Sequence, residues 1–406
     1  LSSLVLVLNS GSSSIKYRLL DPEAGRPLAT GLVERIGQGT GRLVHEGPGG
    51  THETAQPVAD HEEGMRLVLA AFADHGPALD PAALTAVGHR VVQGGDRFDG
   101  PVLVDDAVEQ LVEELSPLAP LHNPANLSGI RAARHAFPQV PHVAVFDTAF
   151  HRTLPPAAAT YALDREVAAA HGIRRYGAHG TSHQYVSRET AAFLGRPLEE
   201  TNTIVLHLGN GASVTAVRGG RSVETSMGMT PLAGLVMGTR TGDLDPGVLL
   251  HLLRVGGYDA DSLDDLLNRR SGMLGLAGHT DMRDVHAAAA AGDERVQEAL
   301  EVYYHRVRGY VGAYMAHLGR VDAIAFTAGV GENDDVVRAG CLAGLEGFGI
   351  TVDPARNAGR KKATTVISPE GAPVTVLVLP TDEELEIARQ AVAVVRAGDA
   401  TAVSAG

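Results

Sequence analysis

Two stretches of this 406-residue sequence carry residue types at a spacing that could grip a phosphate. The first, Ile204 to Gly220, reads I-V-L-H-L-G-N-G-A-S-V-T-A-V-R-G-G. Its apolar run meets His207, Leu208, Gly209, Asn210 and Gly211, and the chain returns through Val214 and Ala216 to a turn at Gly219 and Gly220. The glycines beside Asn210 permit backbone conformations closed to other residues, so successive N–H groups can point at one anion. The second stretch runs from Leu4–Leu8 into Asn9, Gly11, Ser12, Ser13 and Ser14, then Ile15, Lys16 and Tyr17. The plan is repeated: a buried strand ends in Asn, Gly and hydroxyl residues and a second strand follows, as in a duplicated phosphate-gripping hairpin. Lys16 adds a point charge. The alternative for either stretch is an ordinary hairpin with a glycine-rich turn. Neither is a Walker loop, which ends Gly-Lys-Ser/Thr before a helix, nor the dinucleotide fingerprint. Two opposed hairpins imply two lobes with a nucleotide between them.

Other reactive side chains stand at strand ends and in glycine-flanked loops. Arg90 closes a strand read over Ala86–Val92, and Asp147 closes one read over Val143–Phe146. A carboxylate at a strand tip is placed to serve a site, since open α/β sheets bind ligands beyond their strand ends; the alternative is that Asp147 turns the chain before Pro155. Tyr176-Gly-Ala-His-Gly-Thr-Ser-His183 is too rich in Gly and His for a core element, so it reads as a functional loop presenting His179 outward. Arg240 lies in M-G-T-R-T-G-D-L-D-P, where it either serves a site or pairs with Asp243 or Asp245. The strand Ala323–Phe326 ends in Ala328-Gly-Val-Gly-Glu-Asn333, a glycine loop able to cradle a nucleoside before the next helix.

The elements that must position these residues follow from periodicity. Amphipathic patterns predict helices over 61–74, 103–115 and 125–136, with an irregular stretch over Pro117–Pro124, and a long helix from about Val296 to Leu318 with Leu300, Tyr304, Val307, Val311, Tyr314 and Leu318 on one face. The strand Val374–Leu379 leads into a last helix through about Ala397, burying Leu385, Ala388, Val392 and Val395. Thr381 and Glu384 have capping-box spacing, which leaves Glu383 free for another task. The predicted organisation is an N-terminal lobe of residues 1–150, joined by the C-terminal helix at about 385–398, and a C-terminal lobe of residues 151–384 that binds nucleotide and dimerises.

The formal charge of −14 argues against nucleic acid as a partner, because that affinity rests on basic surface. Cys341 is the only cysteine, which excludes an internal disulfide or a cysteine metal cluster and fits a small buried residue. The N-terminus lacks a signal-peptide pattern and no apolar run reaches membrane-spanning length, so a cytoplasmic protein with no membrane contact is expected.

Taken in order, L-N-S-G-S-S-S-I-K, G-H-R-V-V-Q-G-G, V-F-D-T-A-F-H, H-G-T-S-H, H-L-G-N-G-A-S, M-G-T-R-T-G-D-L-D-P, A-G-V-G-E-N and P-T-D-E-E-L resemble the acetate kinases, of the acetate and sugar kinase, Hsp70 and actin superfamily, essentially end to end. The resemblance implies an α/β, two-lobed, duplicated actin-like ATPase fold of the ribonuclease H-like kind, with the nucleotide cleft between lobes. It implies reversible Mg2+-dependent (or Mn2+-dependent) transfer of the ATP γ-phosphoryl group to acetate, giving acetyl phosphate and ADP. Asn9 and Glu383 would organise the metal, and Lys16, with Ser12 and Ser14 in its hairpin, would meet ATP. His207–Gly211, Asp281, Met282 and Arg283, and Gly329, Val330, Gly331, Glu332 and Asn333 would bind the nucleotide. Arg90 would hold the substrate carboxylate, Asp147 would be the essential acidic residue, and His179 and Arg240 would stabilise the transferring group. Two arginines, a histidine and Mg2+ suit a reaction that needs alignment and charge neutralisation more than covalent help. A carboxylic acid substrate is already ionised near neutral pH, so Asp147 fits an organiser of Mg2+, its water or an arginine better than a base. A homodimer is implied as well.

One position departs from the family. Ala178 stands where an aromatic, commonly phenylalanine, helps Val92, Leu121 and Pro231 wall a pocket for the substrate methyl. Loss of the ring either opens space for propionate or butyrate, or weakens acetate binding, or leaves a gap that a neighbour fills. The competing readings are a propionate or butyrate kinase of the same fold and an ATP-driven binding module that is not a kinase.

Overall fold

The computed structural model describes residues 3–404, which contain no helix long and apolar enough to cross a membrane. The chain divides into two compact units, one of Leu1–Phe150 with Asp382–Gly406 and one of His151–Thr381.

The sheet of the first unit contains β1 (Leu4–Gly11), β2 (Ser14–Asp21), β3 (Arg26–Glu34), β4 (Thr40–Gly47), β5 (Gly50–Pro57), β6 (Leu84–Val91), β7 (Val102–Leu103) and β8 (His142–Phe146), in the order β5-β4-β3-β2-β1-β6-β8-β7. Val5, Leu6, Val7 and Leu8 of β1 are all buried, the continuous apolar run of a central strand covered on both faces. The second unit contains β9 (Asn202–Leu208), β10 (Ala212–Arg218), β11 (Arg221–Thr225), β12 (Ala323–Thr327), β13 (Thr365–Val366) and β14 (Thr375–Val378), ordered β11-β10-β9-β12-β14-β13.

The two sheets repeat one plan. In each, an antiparallel meander (β1-β2-β3; β9-β10-β11) is extended from its first strand by two parallel strands (β6 and β8; β12 and β14) and closed by a short antiparallel edge strand (β7; β13). The repeated hairpin in the sequence is thus the start of a duplicated α/β unit. The long helix Glu294–Leu318 buries the expected face, Leu300 through Leu318, in the second core, where Cys341 is also fully buried.

Several local expectations are corrected. The helix expected from 103 begins at Asp106, because Leu103 belongs to β7 and Asp105 caps the helix by accepting from the Val108 N–H. The Pro117–Pro124 stretch holds a 3-10 turn at Ser116–Leu118, and the following helix starts at Asn123 because Pro124 is tolerated in its first turn. The supposed loop 180–183 is the first turn of a helix, Gly180–Phe193, in which Gly180, Thr181, Ser182 and His183 are buried. The glycine loop 328–333 is also helical, with the Ala328 N–H donating to Glu332 Oε1. Thr381 does not cap the last helix, Glu383–Ser404; Asp382 does, accepting from the Leu385 N–H.

Candidate active site

In the first unit, β6 and β8 run parallel with Arg90 opposite Val145, and the Asp147 N–H continues the ladder to the Val91 carbonyl at 2.9 Å. This register sets Arg90 beside Asp147, and the two form a bidentate pair. Glu383 Oε2 lies 3.7 Å from Arg90 Nε. Burial pulls the Arg90 guanidinium down, but Asp147 and Glu383 more than offset it and hold it above its ordinary value. Burial raises the Glu383 carboxyl, Arg90 opposes that, and Asp147 and Glu384 add to it.

The neighbouring carboxylates have other partners. Lys16 pairs with Glu384, and Arg18 Nη1 reaches Asp382 Oδ1 at 2.5 Å. Burial pushes the Glu384 carboxyl up, and Lys16 and Arg18 more than reverse this. Lys16 therefore sits in an ion pair, with its side chain 57% exposed. Asn9 lies opposite Lys16 in the β1–β2 ladder and is half-buried, Ser12 is exposed and Ser14 is half-buried. Beyond β6 the chain is pinned from the helix Asn123–Ala136: Asn126 accepts from the Val92 N–H and donates to the Ser10 carbonyl, and Asn123 pairs with the Gln93 backbone. Val92 is half-buried, whereas Leu121 is 55% exposed.

In the second unit, His179 has φ +55°, a left-handed conformation unusual for a side-chain-bearing residue, immediately before the helix Gly180–Phe193. Its ring is not simply presented outward: it stacks on His207 at 4.2 Å between centroids, and Nδ1 lies 2.9 Å from Ser213 Oγ. A Cβ on Gly211 would lie 3.6 Å from His179 Cε1 and 3.7 Å from both His179 Nε2 and Arg240 Nη1. Gly211 thus leaves room for an atom bounded by a histidine nitrogen and a guanidinium.

Arg240 Nη1 donates to the Pro231 carbonyl at 3.0 Å and lies 3.6 Å from Met237 Sδ. Among the described residues it has no carboxylate partner; Asp243 instead takes the Gly234 N–H and the Tyr310 hydroxyl. Burial lowers its guanidinium below the ordinary value. A half-buried cation without a counter-ion is costly and well suited to an anionic ligand. Its loop is held at its start by backbone bonds, Gly238 N–H to the Asn210 carbonyl and Met273 N–H to the Met237 carbonyl, both 2.9 Å. Gly238 lets the loop pack against Asn210: a Cβ there would fall 1.9 Å from Asn210 Oδ1 and force that side chain to move.

A cavity of about 530 Å3 opens beside this turn. Of the expected nucleotide residues, Gly209, Asn210, Asp281, Met282, Arg283, Gly329, Val330 and Asn333 line it. His207, Leu208, Gly211, Gly331 and Glu332 do not. His207 Nδ1 bonds Ser182 Oγ, and Glu332 fixes the backbone of Ala328 and Thr381. Arg283 grips Asp281, whose carboxyl is held down at about 2 by hydrogen bonds from Arg283.

Gly238, Met273, Thr280, Tyr303, Asp334 and Arg360 complete the wall and were missed. Gly238 and Thr280 lie within or beside motifs already singled out, and Arg360 opens the only Arg-Lys-Lys run, which was a usable signal. Arg338 gave none. Fully buried, it donates to the carbonyls of Gly331, Asn357 and Gly359 and to Asn357 Oδ1, tying the 328–333 turn to the segment carrying Arg360.

The profile of the acetokinase family matches residues 4–389. A protein of Leifsonia xyli subsp. xyli named acetate kinase is 60% identical over 396 residues, covering 98% of this chain and 100% of its own. The crystal structure of Porphyromonas gingivalis acetate kinase superposes with a TM-score of 0.92 at 42% identity, covering 97% of this chain and 99% of that one. That of a propionate kinase from Francisella tularensis subsp. tularensis SCHU S4 does so with a TM-score of 0.87 at 39% identity, covering 96% and 98%. With the profile spanning nearly the whole chain and the likeness running end to end, the chain belongs to the acetokinase family.

Proposed function

We propose that this chain is an ATP:acetate phosphotransferase that moves the γ-phosphoryl group directly and reversibly. The observation that carries the reading is Arg240, a half-buried guanidinium with no carboxylate partner among the described residues, beside His179 and the Gly211 turn, whose Gly209 and Asn210 line the cavity. An acetate oxygen attacks the γ-phosphorus, the bond to the β,γ-bridging oxygen breaks, and ADP leaves with that electron pair. Acetate is ionised near neutral pH, so no proton need be removed. His179 and Arg240 bear the charge spread over the phosphoryl oxygens. Arg90 offers its unpaired edge to the acetate carboxylate. Asp147 orients Arg90 and is an organiser, not a base.

The oxygen donors of Asn9 and Glu383 suit a hard cation. Among the described residues no three His, Cys, Asp or Glu side chains form a metal cage. A magnesium ion carried by substrate phosphates needs only one or two carboxylates from the protein. Half-buried Glu383, its carboxyl raised by desolvation and by Asp147, is a carboxylate that a cation would relieve. When bound, Mg2+ neutralises phosphate charge and helps align the transferring group.

Ala178 is 3% exposed and packs within the apolar core of the second unit, which supports the reading that no wall is missing and that acetate is preferred to longer acids. A cytoplasmic homodimer is part of the proposal. The helix Pro246–Val255 has no buried residue and exposes Val248, Leu250, Leu253 and Val255, an apolar surface suited to a second copy of the chain.

The test is to incubate purified protein with Mg-ATP and acetate, propionate, butyrate or glycerol, trapping acyl phosphate with hydroxylamine. Acetate should give the highest kcat/KM. Preference for propionate or butyrate would mean that Ala178 has reset specificity, and no acyl phosphate from any acid would sink the kinase reading.

A further inference from the structure

The Nδ1 nitrogen of His179 enters a short chain of polar groups. His179 Nδ1 lies 2.9 Å from Ser213 Oγ, which lies 2.7 Å from His183 Nε2. Ser213 and His183 are both fully buried. A hydroxyl has one proton to donate. With a ring nitrogen on each side, it gives to one and accepts from the other, so only one of these two nitrogens carries hydrogen.

His183 decides which one. Burial, together with the rings of His151 and His207, holds its imidazole well below the ordinary range, so it is neutral and carries one N–H. Its Nδ1 is buried and has no hydrogen-bond partner. A proton there would be an orphaned donor, and buried orphan N–H groups are rarer than buried bare acceptors. The proton therefore belongs on Nε2. His183 then donates to Ser213, Ser213 donates to His179 Nδ1, and the hydrogen of a neutral His179 is left on Nε2. That nitrogen lies 3.7 Å from the Cβ position of Gly211, the same distance as Arg240 Nη1.

We propose that Ser213 and His183 lock the tautomer of His179, keeping Nε2–H as a donor toward the phosphoryl group at every pH where the ring is neutral. The use of that donor rests on the phosphotransferase reading; its existence does not. His183 and Ser213 are positioning residues here. Among the titratable and charged groups around the two rings are His207, stacked on His179 and 6.0 Å from His183, Arg240, as near to the Gly211 Cβ position as His179 Nε2 is, and His151 edge-on to His183 at 5.8 Å.

The test is long-range 1H–15N NMR of 15N-histidine-labelled whole chain at pH 8, with His179 assigned by its absence from the His179→Asn spectrum. Wild type should show His179 protonated on Nε2 and bare on Nδ1; a proton on Nδ1 would overturn the lock without any further variant. Ser213→Ala should leave His179 in mixed tautomers and lower kcat by roughly tenfold, a fraction of the full loss of a transition-state donor, with KM for ATP within about twofold. Ser213→Thr, which keeps the hydroxyl, should restore both. An unchanged tautomer in Ser213→Ala would contradict the proposal. A wild type that shows the lock but makes no acyl phosphate upholds the tautomer and overturns the kinase reading instead.

Discussion

Arg90 and Asp147 are joined by two parallel hydrogen bonds, Nε to Oδ1 at 3.1 Å and Nη2 to Oδ2 at 2.6 Å, with Asp147 1% exposed. The fork leaves Nη1 and the outer Nη2 hydrogen for a second carboxylate, a geometry lysine could not reproduce. Asp147→Asn keeps the shape and removes the charge. It should lower kcat/KM for acetate at least about 100-fold and destabilise the fold by about 3 kcal/mol, as expected on breaking a buried pair. Steady-state kinetics and urea unfolding measure the two effects, and a variant with a shifted pH optimum but unchanged acetate KM would point back to a base.

Among the described residues Arg240 has no counter-ion to release, so its removal should cost turnover and little else. Arg240→Ala should lose about 10³-fold in kcat, the scale of an arginine acting on a transferring phosphoryl group. Calorimetric ATP affinity should change less than about threefold. A loss confined to ATP binding would assign Arg240 to the nucleotide instead.

Arg338→Met should remove four hydrogen bonds to Gly331, Asn357 and Gly359. The orphaned acceptors should cost about 3–5 kcal/mol in urea unfolding, and KM for ATP should rise more than KM for acetate. Equal changes in both would mean that the clamp is not specific to the nucleotide wall.

Ala178→Phe tests whether the space left by a smaller residue is already closed. In a filled core the ring should overpack and cost about 1–3 kcal/mol. A stabilised variant with sharper acetate selectivity would show that an open gap had been refilled.

Stability should fall on mild acidification. Burial pulls His142 down to about 4 and holds His89 and His183 well below the ordinary range. Between those values and about 6.5 the unfolded chain binds more protons, so stability rises with pH and is lost as pH drops. From pH 7 to 5 each buried histidine should cost about 2 kcal/mol. Glu383, held above the ordinary carboxylate range, works in the opposite direction. Urea unfolding at the two pH values measures the sum, and His142→Gln should flatten it; equal stability at both pH values would contradict neutral burial.

What the sequence made legible was the part written in local pattern. The apolar runs of β1 and β9, the Gly-Asn-Gly turn after β9 and the face of Glu294–Leu318 all lie where periodicity and glycine placed them, whereas Asn9 and Gly11 belong to β1 itself, which turns only at Ser12 and Ser13. What it hid depends on tertiary partners. Nothing near Arg338 signals full burial, because its acceptors come from residues 331 and 357–359. The Gly-His-rich 180–183 segment read as a loop because the packing that makes it a helix lies elsewhere in the chain. Lys16 looked like a free phosphate ligand because its partner Glu384 is 368 positions away in sequence. Thr381 and Glu384 matched a capping pattern that Asp382, one residue on, actually fulfils.

The measurement that tests the central claim most directly is 31P NMR of the purified chain turning over Mg-ATP and 18O-labelled acetate. Direct transfer predicts acetyl phosphate carrying 18O in the bridge to phosphorus, formed one for one with ADP. ATP consumed only to inorganic phosphate, or an acetyl phosphate without 18O in the bridge, would contradict it.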